Sequence, residues 1–280
     1  MNYRHSYHAG NFADVFKHTQ LVLLLQCLYG KESPFCYLDT HAGAGRYDLH
    51  GTSAQKTGEY LQGVMRLRAR DDVPAVLADY LDAVYALNPG ADDLRYYPGS
   101  PCIAHHLLRP QDRMVLMEMH PDDAVLLKRE FRGDKRVHVH HTDGYQGLKA
   151  FVPPIEKRGL VLIDPPFEGG NEFECLVENL HIAYQRWRTG IFAVWYPLKD
   201  DIRVQHFHRQ LMASGMRKLL RVELCLHARP PVNTLYGCGM IIINPPWQYD
   251  QKLQALLPQL LASLQPDGEG STRVEWLVPE

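Results

Sequence analysis

Seven short apolar segments recur along the chain, and three of them are followed at once by an acid. The seven segments are residues 35–38, 114–117, 137–141, 160–163, 191–195, 219–226 and 240–243. Helical patterns separate the earlier segments. This alternation predicts an α/β fold with a mostly parallel, doubly wound sheet and helices on both faces. No long helical pattern separates the last two segments, so we expect them to form an antiparallel hairpin at one sheet edge. The terminal stretch TRVEWLV is expected to add a peripheral strand.

The connection between the first two strands is longer than one crossover requires. Asp39 and Glu118 are 79 positions apart, whereas a strand–helix–strand unit needs about 30 residues. The excess, residues 47–96, contains helical patterns and little strand signal. The sequence therefore predicts one domain over residues 1–280 with a small helical insertion at 47–96. The crossover helix is expected in SPCIAHHLL, with Ser100 as its N-cap and Pro101 in its first turn.

Ahead of the first strand, a helix is predicted to begin after Asn11, which is a suitable N-cap residue. Asp14 follows three positions later, and apolar residues recur behind it up to Gly30. Lys17 and His18 fall early in this helix and are placed to face a pocket.

Net charge, cysteine spacing and the length of apolar segments limit the partners and the location that the sequence predicts. The formal net charge is −2, from 30 Lys and Arg against 32 Asp and Glu. Any nucleic-acid partner must therefore be met by a local patch rather than by global attraction. The six cysteines form no C-x-x-C pair, which favours reduced thiols in a cytoplasmic protein. No segment is long enough to span a bilayer, so no membrane association is predicted.

A glycine-containing loop follows the first predicted strand. Asp39 is followed by Gly43 and Gly45, which allow backbone to approach a ligand closely. The order D-x-x-x-G-x-G resembles the cofactor loop of class I S-adenosylmethionine methyltransferases. Glu118 ends the next strand, where such folds place an acid on the ribose hydroxyls. Asp143 and Gly144 end the following strand, where the resemblance implies contact with the adenine ring of the cofactor.

The fourth strand ends in Asp164-Pro165-Pro166-Phe167, which matches the pattern [DN]-P-P-[YFW] of enzymes that methylate exocyclic amines. The amine lone pair of adenine is delocalised into the ring. A carboxylate and a fixed carbonyl can accept its two N–H groups and free that lone pair for the methyl group. Proline fixes φ, so the Pro165 carbonyl is held in place beforehand. The ring of Phe167 can stack on a base turned out into the pocket.

A second copy of the pattern occurs at Asn244-Pro245-Pro246-Trp247. It follows the last strands and lies far from the cofactor loops in the chain. We therefore interpret its prolines as the end of an edge strand and assign the chemistry to Asp164.

Several longer motifs point to one family. They are YRHSYHAGNFADVFKH, YLDTHAGAGRY, TGEYLQG, LRYYPGSP, LIDPPF, WYPL and GMIIINPPW. Together they resemble the bacterial 23S rRNA (adenine-N6)-methyltransferase family RlmJ. The resemblance implies a Rossmann-like class I fold, S-adenosyl-L-methionine as cofactor, and one adenine of 23S rRNA as target. It implies that residues lining the cofactor pocket are Lys17, His18, His41, Gly43, Ser100, Glu118, Asp143, Gly144 and Asp164.

The same resemblance assigns roles around the substrate. Asp164 is implied as the catalytic acid, and Tyr3, His5 and Lys17 match an N-terminal motif used near cofactor and substrate. Pro165 and Phe167 are expected to bind the target base. Phe167 departs from the family pattern, in which Tyr is usual, so stacking is preserved and any function of a hydroxyl is lost.

Other functions fit the four-residue motif as well. A DNA adenine-N6 methyltransferase or an rRNA guanine-N2 methyltransferase would present the same planar amine. A protein glutamine methyltransferase is less compatible, because those enzymes tend to carry Asn-Pro-Pro-Tyr. A non-catalytic RNA-binding module is a further alternative, against which the intact Gly43, Gly45, Glu118 and Asp164 argue. His138, His140 and His141 lack metal-ligand spacing, so no metal is predicted, and no obligate protein partner is expected.

Overall fold

The computed structural model describes residues 4–69, 73–90, 93–228, 234–265 and 268–280. The strands are β1 Cys36–Asp39, β2 Arg46–Asp48, β3 Tyr96–Pro98, β4 Arg113–Glu118, β5 Val137–His141, β6 Gly159–Ile163, β7 Ile191–Leu198, β8 Leu219–Cys225, β9 Gly237–Ile243 and β10 Ser271–Val278. The helices are α1 Phe12–Leu28, α2 Thr52–Thr57, α3 Val64–Arg68, α4 Ala75–Tyr85, α5 Ser100–His106, α6 Pro121–Glu130, α7 Gly144–Phe151, α8 Glu172–Arg186, α9 Asp201–Ala213 and α10 Tyr249–Leu264. No helix within these described ranges is long and apolar enough to cross a membrane.

The main sheet has the strand order β10-β8-β9-β7-β6-β1-β4-β5. Strands β5, β4, β1, β6 and β7 pair in parallel, whereas β9 runs antiparallel to both β7 and β8. The predicted α/β class and the antiparallel pairing of β8 with β9 are therefore confirmed. The terminal strand β10 pairs antiparallel with β8, so it forms the outer edge beside this hairpin.

Alternating side chains of the central strands pack into two apolar cores, one on each face of the sheet. In β1, Tyr37 belongs to the core beneath α1, α4, α5 and α10, whereas Leu38 belongs to the core beneath α7, α8 and α9. This follows from the two-residue repeat of a strand, which sends neighbouring side chains to opposite faces. Burial on both faces explains why these strands are almost uniformly apolar.

Helix starts agree with the sequence in one case and differ in another. Asn11 caps α1 as predicted, because its side-chain oxygen accepts the backbone N–H of Asp14 at 3.0 Å. The prediction that Ser100 caps α5 is wrong: Gly99 is the N-cap and Ser100 is the first helical residue. The Ser100 hydroxyl is engaged elsewhere, since it donates to Asp39 Oδ2 at 2.7 Å.

The region predicted as a helical insertion contains α2, a 3₁₀ turn at Glu59–Gln62, α3 and α4. It also contains strand pairing that the sequence pattern did not indicate. Strands β2 and β3 pair antiparallel at its two ends, with Tyr47 opposite Tyr97. The boundaries 47–96 remain a prediction, and this short pairing brings the two ends of the segment together.

Candidate active site

The parallel strands deliver their polar end residues to one edge of the sheet. β1 ends in Asp39 and β4 ends in Glu118, while Asp143 and Asp164 follow β5 and β6. Because β1 pairs in register with β4 and β6, the ends of these strands lie side by side. Ligands bind at the carboxyl edge of open α/β sheets, particularly where the strand order reverses, as it does between β1 and β6. This edge is the candidate site.

The loop after β1 is tied to the end of β4 by Glu118. Glu118 Oε2 accepts the Gly43 backbone N–H at 2.7 Å, and Oε1 accepts the His120 N–H at 2.6 Å. Burial raises the pKa of this carboxyl above its usual range. Gly43 has φ of 63°, and a Cβ there would clash with the Tyr47 hydroxyl oxygen. Glycine is thus required at this position of the loop. We call the Gly43 backbone together with the Glu118 carboxylate the Gly43 cradle. Each carboxylate oxygen retains an acceptor site for a further donor.

Close backbone packing joins the loops after β1 and β5. A Cβ on Gly144 would clash with the carbonyl oxygen of Thr40, so only glycine fits there. Asp143 is the N-cap of α7 and accepts the Gln146 N–H at 2.9 Å. His41 lies between these loops, and burial lowers the pKa of its imidazole to about 4. His41 is therefore neutral at physiological pH.

Asp39, the first residue of the D-x-x-x-G-x-G loop, forms a buried cluster whose hydrogen bonds the sequence did not indicate. Its Oδ2 accepts the hydroxyls of Tyr37 and Ser100, each at 2.7 Å, and its Oδ1 accepts the His41 N–H at 3.2 Å. Burial raises the pKa of Asp39 to about 6. The cluster fixes α5 and the glycine-containing loop against the end of β1. The sequence-predicted residues Ser100 and His41 are thus brought together.

Asp164 is held by a lysine from the first helix. Lys17 Nζ lies 2.5 Å from Asp164 Oδ2 and 2.9 Å from Asp14 Oδ1. Lys17 is only 5 % exposed. Burial opposes its charge, but the two carboxylates hold the pKa of Lys17 well above its ordinary value. The ammonium is therefore charged and bridges α1 to the loop after β6.

Three further N-terminal residues were predicted for the site, namely Tyr3, His5 and His18. His5 Nε2 lies 2.9 Å from Asp14 Oδ2, which places the N-terminal segment beside Lys17. His18 is 1 % exposed, with Nδ1 2.8 Å from the Tyr97 hydroxyl, and burial holds its pKa well below the usual value. Tyr3 lies outside the described residues. The cofactor role of His18 stays a prediction, since its ring is enclosed by protein.

Beyond Asp164 the chain turns sharply through its two prolines. Pro165 is buried and Phe167 is partly exposed with φ of 49°, a region that residues other than glycine rarely adopt. The Phe167 ring packs 4.9 Å from Phe173 and 5.8 Å from Trp195, measured between ring centroids. Packing against these rings supports a backbone conformation that costs energy, which is a common property of ligand-binding loops.

The second proline motif lies at the opposite edge of the sheet, because β9 is antiparallel to β7. Asn244 follows Ile243, which pairs with Phe192 near the start of β7. Its side-chain amide donates to the carbonyl oxygens of Arg188 and Gly190, both at 2.8 Å. Asn244 thus holds the turn before β7, at the other end of the parallel strands from Asp164. The expectation that these prolines end an edge strand is wrong, because β9 pairs with β7 on one side and β8 on the other.

Cofactor and metal binding can be judged from the donor groups at this edge. The described parts of the chain contain no cluster of three or more His, Cys, Asp and Glu that could hold a metal ion. The Gly43 cradle, with its Glu118 carboxylate, and the glycine contact at Gly144 suit a nucleoside-containing ligand, which approaches backbone closely and donates hydroxyl hydrogen bonds. The residues present therefore fit S-adenosylmethionine.

This sheet order, with the reversed strand β9 and a cradle at the carboxyl edge of the parallel strands, defines a Rossmann-like class I methyltransferase. The family model for ribosomal RNA large subunit methyltransferase D, RlmJ, matches residues 32–278, and the chain belongs to that family. Two relatives are named ribosomal RNA large subunit methyltransferase J. That of Escherichia coli (strain K12) is 46% identical and that of Haemophilus influenzae 44%, each over 280 residues and all of both chains. A Legionella pneumophila crystal structure superposes with a TM-score of 0.88 at 37% identity, covering 96% of this chain and 98% of that one.

Proposed function

We propose that this chain methylates the exocyclic N6 amine of one adenine in 23S rRNA, with S-adenosyl-L-methionine as methyl donor. The observation that carries the proposal is the Asp164 carboxylate, held by Lys17 at the carboxyl end of β6 directly before Pro165. Membership of a ribosomal RNA methyltransferase family supports RNA as the substrate. The two full-length relatives, named for the large subunit, support 23S rRNA within that class.

The chain's own residues supply orientation rather than a strong base. Asp164 uses Oδ2 for Lys17, which leaves Oδ1 for one N–H of the adenine amine. The Pro165 carbonyl is placed to accept the second N–H, because proline fixes the backbone before the base arrives. The nitrogen lone pair is then directed out of the ring plane. The amine gains a methyl group and loses one proton, which the Asp164 carboxylate can accept.

The opposite side of the site binds the cofactor, which supplies an electrophilic methyl group. Glu118 accepts the ribose hydroxyls while it retains the N–H groups of Gly43 and His120. Gly144 lets the loop after β5 pack on the Thr40 carbonyl, and Asp143 beside it at the end of β5 would contact the adenine ring of the cofactor. His41, which burial keeps neutral, would border the cofactor without adding a positive charge to the site. The free cysteines fit a reaction in the cytoplasm.

Nucleoside analysis of ribosomal RNA tests this function. Ribosomal RNA from a strain lacking the gene is digested and compared with RNA from the same strain complemented by wild-type enzyme or by Asp164→Ala. We expect N6-methyladenosine at one 23S position to disappear and to return only with the wild type. Loss of a methylguanosine would replace the adenine assignment with guanine-N2. Equal rates on duplex DNA in vitro would contradict RNA as the substrate, and unchanged RNA would favour a binding module.

A further inference from the structure

Asp14 lies at the centre of the N-terminal part of the site. Neither the Asp-Pro-Pro-Phe motif nor the residues at the strand ends indicated that it belongs there. It is 2 % exposed in the first turn of α1. Its Oδ2 accepts the Gly10 backbone N–H at 2.9 Å and lies 2.9 Å from His5 Nε2. Its Oδ1 lies 2.9 Å from Lys17 Nζ. One buried carboxylate therefore contacts three parts of the N-terminal region.

The charge on Asp14 is maintained by these partners. Burial alone would raise the pKa of its carboxyl, but His5 and Lys17 hold that pKa well below the usual range. A buried ionised carboxylate is costly unless it is paired, so its retention requires the full set of contacts. One of these partners, Lys17, also contacts Asp164.

Lys17 needs a second anion for a geometric reason. Its ammonium is shared between Asp14 and Asp164, and it donates a hydrogen bond to Oδ2 of Asp164. Without the Asp14 charge, the ammonium has Asp164 as its remaining close carboxylate. It would then be drawn toward both Asp164 oxygens and compete with the amine of the incoming base.

We propose that Asp14 is a positioning residue for methyl transfer. It holds the Lys17 ammonium on one side of the Asp164 carboxylate, so that the other Asp164 oxygen stays open to the amine. The inference rests on the proposed function, since it concerns the same carboxylate. It requires that loss of the Asp14 charge slows the methyl-transfer step and leaves cofactor binding intact.

The experiment compares wild type with Asp14→Asn on in vitro transcribed 23S rRNA and S-adenosylmethionine. We expect kcat to fall about 10- to 100-fold, as is usual when a group that orients a catalytic residue is removed. The calorimetric Kd for the cofactor should stay within about threefold. Asp14→Glu keeps the charge and should recover kcat to a value between those of the Asp14→Asn variant and the wild-type enzyme.

Glu59→Gln is the matched control. Glu59 also restrains the N-terminal region, through His8 Nδ1 and Asn11 Nδ2, both at 2.9 Å, but no contact to Lys17 is described for it. This variant should keep kcat within about threefold. A kcat loss as large as that of Asp14→Asn would overturn the proposal, because general restraint of the segment would then explain the effect.

Two further outcomes would overturn the positioning role: Asp14→Asn with wild-type kcat, or a kcat loss matched by an equal loss of cofactor affinity. If the Asn variant does not fold by circular dichroism, Asp14→Ser carries the test, because it also removes the charge and keeps a hydroxyl as an acceptor near the Gly10 N–H. Reduced kcat with unchanged cofactor affinity then supports the role, and wild-type kcat contradicts it. A wild-type enzyme that methylates no adenine would instead refute the proposed function.

Discussion

Lys17 Nζ and Asp164 Oδ2 are 2.5 Å apart, although 147 positions separate the two residues in the chain. The contact joins the first turns of α1 to the loop that follows β6. Because both groups are largely shielded from water, their interaction is screened less than a surface ion pair. The N-terminal region and the loop that bears the motif are therefore parts of one site.

Asp164→Ala should abolish methyl transfer and leave the fold intact. The variant leaves the buried Lys17 ammonium with Asp14 as its described carboxylate partner, so the thermal midpoint should fall while the protein still folds. Removing one group that stabilises a transition state typically costs about 10²–10³ in rate. Single-turnover transfer to 23S rRNA measures this loss, and a decrease smaller than about tenfold would contradict the assignment.

Asn244→Gly is the control from the second proline motif. Glycine adopts the φ of 53° found at Asn244, so only the hydrogen bonds to Arg188 and Gly190 are lost. Transfer per folded enzyme should be unchanged. If this variant were inactive and Asp164→Ala active, the chemistry would belong to the other motif.

Glu118→Ala should weaken cofactor binding. The change removes the acceptor of the Gly43 and His120 N–H groups and, in our proposal, of the ribose hydroxyls. Hydrogen bonds to a charged group contribute about 1.5–3 kcal/mol, so Kd should rise roughly 10- to 150-fold. Calorimetry with S-adenosylhomocysteine measures the effect. Glu130→Gln, which removes the ion pair with Arg46 at 3.2 Å, serves as control. Equal Kd values for the two variants would show that Glu118 does not bind the cofactor.

Phe167→Ala should lower kcat/KM for RNA, whereas Phe167→Tyr should not. Stacking of a base on an aromatic ring contributes about 1–3 kcal/mol, which corresponds to a loss of roughly 5- to 150-fold. Tyr keeps the ring and its packing on Phe173 and Trp195. Trp247→Ala removes an aromatic ring that is 87 % exposed in the second motif and should have no effect. Equal losses in the alanine variants at 167 and 247 would refute stacking by Phe167.

His208 should make the folded state less stable as the pH falls. Burial lowers the pKa of His208 to about 4, against an ordinary value of 6.5, so the unfolded chain takes up the proton first. The contribution is fully present above about pH 6.5 and is lost progressively toward about pH 4, up to about 3 kcal/mol. Urea unfolding at about pH 7 and about pH 5 should show a smaller pH-dependent loss for His208→Gln than for wild type.

The matched control for that measurement is His206→Gln on the same helix, α9. His206 is exposed, so its replacement should leave the pH dependence of the unfolding free energy unchanged. Parallel wild-type and His208→Gln curves would show that burial of His208 does not contribute to acid sensitivity.

Strand ends and the first helix cap could be read from the sequence because both depend on local patterns. Asn11 caps α1 through a residue three positions away, and each parallel strand carries its polar residue to the same edge. The contact of Ser100 with Asp39 spans 61 positions, and that of Lys17 with Asp164 spans 147. No local periodicity encodes such contacts. Ser100 was misassigned for the same reason, since its hydroxyl has a distant partner rather than a helix end.

The reversal of β9 gives two copies of one four-letter pattern different evolutionary constraints. A substitution library scored separately for protein abundance and for methylation would separate them. Changes at 164 would remove methylation and preserve abundance. At 244, abundance would survive mainly with Gly, Asn or Asp, since the backbone there has φ of 53°. The two copies of the pattern thus tolerate different substitutions at their first residue, because the strands that precede them run in opposite directions.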